Sequence, residues 1–312
     1  MSERKPVVLV TGANGFVGRH VVPALTRAGW SVRRAVRSPE GTGDEVVIET
    51  IGPETDWTGA LEGVDAVVHL AARVHHKHEE HAEGLYRSVN TAGTLHLARC
   101  AAAAGVRQFI FVSTALVHGR CNAGRPPFSE DDMLKPSGLY GMSKAEAESG
   151  LRRLSSGSEM KITVVRPPLI YGEGAKGNFA LLTRAVKIGL PLPLAGIRNR
   201  RAFLAVQNLA SFIVWRLADP RSTSNFEVFL LADQEQVSTP ELIQRLAGAS
   251  GKRPRLFYMQ PQLLNFLLNI FGRLDAHDSL IGSFELDVSK ALGIGWQPQV
   301  SLDEGLRLAL AC

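Results

Sequence analysis

Two side chains able to move a proton stand four residues apart in the segment Tyr140-Gly141-Met142-Ser143-Lys144. On a helix that spacing puts Tyr140 and Lys144 on one face. A free phenol, with a pKa of about 10, is a poor base at neutral pH. A neighbouring ammonium favours the phenolate and brings Tyr140 towards use as a general acid or base. Two hydroxyls, Ser113 and Thr114, close the apolar run Phe109-Ile110-Phe111-Val112, and strand alternation sends only one of them towards a site at that end. The third chemical feature is Val10-Thr11-Gly12-Ala13-Asn14-Gly15-Phe16-Val17-Gly18, which follows the apolar run from Pro6 to Val10 and opens a helical pattern. In such a turn the first glycine allows the sharp reversal, the second lets backbone N–H groups approach a pyrophosphate, and the third packs helix on strand. The anion then sits at the helix N-terminus. Arg37 ends the run Val32-Arg33-Arg34-Ala35-Val36-Arg37. An acidic residue at that place would bind the ribose 2′-hydroxyl of NAD, whereas arginine accommodates a 2′-phosphate, so NADP(H) is favoured over NAD(H). Arg33 or Arg34 could share that role.

The elements that must position these groups are legible as periodicity. Short apolar runs at Val7–Val10, Ser31–Val36, Val46–Ile48, Ala66–His69, Gln108–Ser113 and Ile162–Val165 read as strands. Helical patterns near Phe16–Ala28, Tyr86–Ala104 and Tyr140–Leu154 fall between some of them. That order predicts an α/β protein with a doubly wound parallel sheet of Rossmann type, buried on both faces. After Tyr171 the pattern changes to the Gly-rich loop 172–177 and a helix over Asn178–Ile188. A helix at Val206–Ala218 and a strand at Glu227–Leu231 read as a return to the first domain. The expected division is a dinucleotide-binding domain at 1–172 with 202–233 returning to it. Residues 173–201 and 234–312 would form a smaller substrate-binding lobe.

The chain has 312 residues, 45% of them hydrophobic and 21% charged, which is enough for a large core and excludes a disordered or fibrous class. Three cysteines, Cys100, Cys121 and Cys312, are too few and too scattered for a disulfide frame or a zinc site. The net charge of +5 is spread along the chain with no nucleic-acid-binding pattern, and it suits a protein whose ligands are phosphate-bearing anions. No apolar run is long enough to span a bilayer and no cleavable signal opens the chain, so a cytoplasmic protein without stable membrane insertion is expected. The apolar segment Leu263–Phe271 reads as core of the smaller lobe or as a subunit contact.

With these elements in this order, the chain resembles the extended branch of the short-chain dehydrogenase/reductase superfamily that acts on nucleotide sugars. Val7 to Gly18 is similar to its TGxxGxxG turn, Val67-Val68-His69-Leu70-Ala71-Ala72 to its VxHxAA strand, and Asn90-Thr91-Ala92-Gly93-Thr94 to its NxxGT helix. Tyr140 to Lys144 matches the YxxxK pair, and Arg166-Pro167-Pro168-Leu169-Ile170-Tyr171-Gly172 and Gly295-Trp296-Gln297-Pro298 complete the set. The resemblance covers nearly the whole chain. It implies catalysis by Thr114, Tyr140 and Lys144, with Ser113 the alternative to Thr114. It implies cofactor contacts from Gly12, Asn14, Gly15, Phe16, Val17, Gly18, Arg37, Leu70, Ala71, Ala72, Asn90, Tyr140, Lys144 and Pro167.

Substrate contacts implied in the same way are Thr114, His75, His118, Asn178, Arg201 and Arg273, with His118 standing where many relatives have tyrosine. His75, His76, His78 and His81 form a histidine-rich run, yet hydride chemistry requires no metal and none is expected. A homodimer built on the helices Tyr86–Ala104 and Tyr140–Leu154 is implied. Within the family, the chain is most similar to bacterial enzymes of surface-polysaccharide synthesis that reduce UDP-4-keto-6-deoxy-N-acetylhexosamines with NADPH. The close rival is a UDP-hexose 4-epimerase that retains NAD. A non-catalytic NADP-sensing regulator is disfavoured by retention of Tyr140 and Lys144, and a reductase of free ketones would leave the second-lobe arginines without an anionic partner.

Overall fold

The computed structural model describes residues 4–74, 82–219, 224–260, 263 and 280–311. Seven strands form the main sheet: β1 (Val7–Thr11), β2 (Ser31–Val36), β3 (Glu45–Val47), β4 (Ala66–His69), β5 (Gln108–Val112), β6 (Lys161–Arg166) and β9 (Phe226–Leu230). Their spatial order is β3-β2-β1-β4-β5-β6-β9, and the pairs from β3 through β6 are parallel. Chain order reverses at β1, whose neighbours are β2 and β4. In sheets of this kind the crevice beyond the carboxyl ends of the strands at the reversal is where a ligand binds. The expected doubly wound sheet is therefore present, with strand bounds within about two residues of those read from periodicity.

Helices cover both faces of this sheet. On one face Leu9, Val67, Phe109, Phe111, Ile162 and Val164 pack with Trp57, Leu97, Ala101, Ala147 and Leu151 in a single apolar cluster. Those partners come from or adjoin α2 (Thr58–Leu61), α4 (Thr94–Ala103) and α5 (Gly138–Ser155). The alternate residues Val8, Val10, Val68, Ile110 and Val165 are also fully buried, as strands covered on both sides must be. On that opposite face lies α7 (Val206–Ala218), whose Arg216 Nε donates to Thr163 Oγ1 of β6. No helix among the described residues is long and apolar enough to cross a membrane.

One feature departs from the simple helix expected over Tyr86–Ala104. Between α3 (Glu83–Tyr86) and α4 the backbone widens into a π-helix, Arg87–Gly93. Such widened turns are rare and recur at functional sites. Gly93 is required there, because a Cβ would meet Ile51 Cγ2 at 2.8 Å.

By contacts the chain forms two units. The first comprises residues up to 118, 133–166 and 209–229; the second comprises 119–132, 167–208 and 230 onward. Within the second unit, β7 (Leu169–Tyr171) and β8 (Phe203–Ala205) pair in parallel. They pack with α6 (Asn178–Lys187), α8 (Thr239–Ala249) and α10 (Leu302–Leu310) through Phe179, Leu242, Leu246 and Leu306. A further short helix, α9 (Ser289–Gly293), precedes α10. Buried Asp233 ties this unit together by accepting from Tyr171 Oη at 2.7 Å, Ala205 N at 3.0 Å and Asn208 Nδ2 at 2.7 Å. Asp233→Ala would strand these donors, each costing about 1–3 kcal/mol when buried without a partner. We expect a loss of about 3 kcal/mol or more in urea unfolding followed by circular dichroism, and a smaller loss for Asp233→Asn, which keeps an acceptor oxygen.

Candidate active site

The glycine turn between β1 and α1 (Gly18–Arg27) is shaped for close backbone approach. Gly12 has φ +71°, and a Cβ there would stand 2.8 Å from Ala71 N. A Cβ on Gly18 would overlap the carbonyl oxygens of Gly12 and Ala13. Gly15 N closes the turn on Gly12 O at 3.0 Å. The first turn of α1 carries no acidic residue and no side-chain cap, so no side chain of its own competes with an anion there. Beside it Thr11 Oγ1 accepts from Ala71 N at 3.3 Å, placing Leu70, Ala71 and Ala72 along the glycine turn. These residues fit the pyrophosphate of a dinucleotide.

The arginines around β2 divide their duties. Arg33 donates from Nη1 to the carbonyls of Ala60 at 2.9 Å and Glu62 at 2.8 Å, at the C-terminal end of α2. Arg34 donates to Asn14 Oδ1 at 2.6 Å and pairs with Glu40, Asp44 and Glu45. Arg37 is exposed and makes no hydrogen bond or ion pair within the described residues. Of the three, it is the cation without a partner among the described residues.

At the ends of β5 and β6 the hydroxyls separate. Ser113 Oγ donates to Glu148 Oε1 at 2.5 Å, inside the protein. Thr114 Oγ1 accepts from Leu116 N at 3.2 Å, at the start of the 3₁₀ turn Ala115–His118, and does not join Ser113 at Glu148. Helix α5 begins after Ser137 and carries Tyr140 and Lys144 in its first two turns. It can lie close to the 3₁₀ turn because Gly141 has no side chain: a Cβ would stand 3.2 Å from Leu116 O. Lys144 is fully buried, donates from Nζ to Val112 O at 2.9 Å, and sits 4.3 Å from the Phe111 ring centroid and 5.9 Å from that of Tyr140. Burial pushes the Lys144 ammonium down to about 7, against a smaller upward pull from Glu148. Burial also raises Tyr140 above the ordinary phenol value. A cation beside it is what a phenol in that position needs to become a usable base.

The π-helix supplies the support. Asn90, fully buried, donates to Arg73 O at 3.0 Å and to Ser143 Oγ at 3.0 Å, and accepts from Arg73 N at 2.8 Å. Ser143 Oγ in turn donates to Tyr140 O at 2.9 Å, so Asn90 braces the helix turn that holds Tyr140. His69, at the end of β4, lies between Thr11 Oγ1 at 2.7 Å and Thr94 Oγ1 at 2.9 Å. Burial, with Lys144 adding to it, brings its pKa down to about 3, and it is neutral. His118 is buried, with Nε2 3.1 Å from Arg166 Nη1.

In the second unit Pro167 follows β6 and Asn178 opens α6 on an exposed position. Arg201 donates from Nη1 to Gly282 O at 2.6 Å and lies 5.9 Å from the Phe284 ring centroid, so part of its bonding capacity holds its own unit together. His75, the rest of the histidine run, Arg273 and residues 264–271 lie outside the described residues. Sequence reasoning missed the buried Glu148–Arg166 pair. Its signal was available: Glu148 stands one helical turn beyond Lys144.

Residues 8–232 match the NAD dependent epimerase/dehydratase family. The chain is 37% identical to the UDP-glucose 4-epimerase of Vibrio cholerae over 307 residues, spanning 96% of this chain and 93% of that one. It is 25% identical to the N-acetyl-alpha-D-glucosaminyl-diphospho-ditrans,octacis-undecaprenol 4-epimerase of Escherichia coli O157:H7, spanning 96% and 92%. Among solved structures, MoeE5 in complex with UDP-glucose and NAD superposes with a TM-score of 0.77 at 26% identity, covering 97% of both chains.

The buried ammonium makes a signed prediction about stability. With a folded value of about 7 against 10.5 when exposed, Lys144 carries its full burial cost below pH 7. Between those values the unfolded chain binds more protons than the native one, so stability rises with pH until the cost is gone. Lys144→Met should therefore raise the thermal midpoint at pH 6 and raise it much less at pH 10, as calorimetry would show. A gain that does not shrink with pH would place the cause in packing rather than charge.

Proposed function

Because the chain belongs to the NAD dependent epimerase/dehydratase family, we propose that it interconverts a UDP-linked hexose and its C4 epimer, with Thr114, Tyr140 and Lys144 as the reacting groups. The observation that carries this reading is the 37% identity to a UDP-glucose 4-epimerase over 96% of the chain. The enzyme is NAD(P)-dependent and of the short-chain dehydrogenase/reductase type. A nicotinamide held by the glycine turn would supply hydride transfer from and back to C4. The Tyr140 phenolate takes the C4 hydroxyl proton as the carbonyl forms and gives it back when the carbinol re-forms. The Thr114 hydroxyl hydrogen-bonds the reacting oxygen and keeps it within reach of Tyr140. Lys144, as an ammonium, supports the phenolate and hydrogen-bonds the cofactor ribose. The N–H groups at the start of α1 take the pyrophosphate, and Asn178, Arg201 and Arg273 are assigned to the substrate. A cytoplasmic homodimer belongs to the same proposal.

A second reading is net reduction of a UDP-4-keto-6-deoxy-N-acetylhexosamine by NADPH in bacterial surface-polysaccharide synthesis. One observation favours it: Arg37 is exposed at the end of β2 and unengaged within the described residues. No acidic residue replaces it there for the 2′-hydroxyl of NAD. The relatives reverse the order in which the sequence alone ranked these two readings.

The deciding experiment incubates purified protein with UDP-glucose and separates the products. The first reading expects UDP-galactose with no net change at 340 nm and NAD retained through purification. Stoichiometric NADPH consumption with the 4-keto sugar and no epimerisation would establish the second reading. In that case Arg37→Asp should weaken NADPH by about 1.5–3 kcal/mol while leaving NADH nearly unchanged.

Under either reading Tyr140→Phe removes only the proton-carrying oxygen. Turnover should fall by about 100- to 10,000-fold while calorimetric cofactor affinity stays close to the parent. Activity within a few-fold of the parent would remove Tyr140 from the mechanism.

A further inference from the structure

Behind Lys144, on the side away from Tyr140 along α5, lies a buried charge pair that the reaction scheme above does not use. Glu148 and Arg166 are 3% and 4% exposed. Arg166 grips the carboxylate with two nitrogens, Nη2 to Oε2 at 2.6 Å and Nε to Oε2 at 3.0 Å. Ser113 Oγ donates to Oε1 at 2.5 Å. A carboxylate held by a bidentate guanidinium and a hydroxyl is kept ionised, and removing one partner of such a pair leaves a buried charge unmatched. Arg166 Nη1 also lies 3.1 Å from His118 Nε2; Arg166 can only donate, so that ring nitrogen is the acceptor and the imidazole is neutral.

Lys144 and Glu148 are four apart on α5 and share a face. The groups that face Lys144 come from every element around it. On its own helix these are Tyr140 and Glu148. From β5 come the Phe111 ring and Val112 O, which carry no net charge. From β4 comes His69, which is neutral. From β6 comes Arg166, which is bonded to Glu148 itself, with His118 against its other nitrogen. Among the described residues Glu148 is thus the anion that favours the ammonium.

We propose that Glu148, fixed by Arg166 and Ser113, is a positioning residue of the reaction: its carboxylate keeps the buried Lys144 protonated, and Arg166 limits how strongly. The proposal rests on the reading of Tyr140 and Lys144 as the proton-moving pair. Ser113 then has a task of its own, as a hydroxyl that orients the anion behind the lysine instead of touching substrate. The direction of the effect is set by charge. Taking away Glu148 alone removes an attraction and leaves Arg166 uncompensated, so the amine is favoured twice over. Taking away both removes the attraction and the repulsion together, and the amine is favoured less.

The test follows the Lys144 ammonium itself, without turnover, so its failure is separate from failure of the functional reading. Protein labelled at lysine Cε, loaded with NAD, is titrated by carbon-detected NMR, and the Lys144 resonance is assigned with Lys144→Arg. Glu148→Gln should lower the Lys144 midpoint by at least one pH unit, a tenfold fall in the ammonium-to-amine ratio at fixed pH. The double variant Glu148→Gln/Arg166→Gln should lie between Glu148→Gln and the parent. A Glu148→Gln midpoint within about 0.3 units of the parent, well short of the tenfold step that one unit represents, would overturn the proposal. Should Glu148→Gln not fold, the double variant, which leaves no unmatched ion, decides alone. Its midpoint at or above that of the parent would overturn the proposal as well.

Discussion

A lysine ammonium enclosed by protein is the feature on which the rest of the first unit depends. Burial disfavours its charge, yet the charge is what makes a neighbouring phenol usable. The structure meets this conflict with a few weak supports and not with a single strong one. A carbonyl at the end of β5 accepts from Nζ, the Phe111 ring presents its face, and a carboxylate one helical turn away supplies the opposing charge. Each support comes from an element fixed by the sheet. The same burial that lowers Lys144 raises Tyr140, so the two protonation states are set by one low-dielectric environment.

The sheet order explains why these groups meet. Reversal at β1 puts the glycine turn of β1 beside the carboxyl end of β4, and β5 beside β4. His69 then reaches Thr11 on one side and Thr94 on the other, so one neutral imidazole links the glycine turn to the helix behind it. Asn90 makes a comparable link from the π-helix to the Tyr140 turn. A straight α-helix through Arg87–Gly93 would rotate Asn90 relative to α5, since the wider turn changes the angular step between residues. The distortion is local, and Gly93 permits it by leaving room for Ile51.

The strands, the glycine turn and the tyrosine–lysine pair were legible because each rests on short-range rules: apolar periodicity, glycine conformations and helix spacing. What was not legible depends on tertiary distance. Nothing in Arg33-Arg34-Ala35-Val36-Arg37 says which arginine will be spent on carbonyls or carboxylates, and the fold assigns Arg33 and Arg34 to such partners. Neither Ser113 nor His118 announces that it turns inward, because Glu148 and Arg166, which draw them in, lie 35 and 48 positions away. The π-helix was not legible because seven residues are too few to display a period of their own between the α-helical turns that flank them.

The two readings of function differ in where the cofactor's charge must be recognised, not in how the sugar is handled. Epimerisation and net reduction both need a phenol that gives and takes a proton at one oxygen, and Tyr140 with Lys144 answers that need equally in each. In the readings proposed above the distinction rests on Arg37, exposed just beyond β2 and apart from the hydrogen bonds that join Ser113, Glu148 and Arg166. On those readings a substitution at Arg37 leaves the buried pair behind Lys144 undisturbed. Conversely, on the proposal for Glu148, a change at Glu148 or Arg166 acts on the Lys144 ammonium and leaves Arg37 untouched.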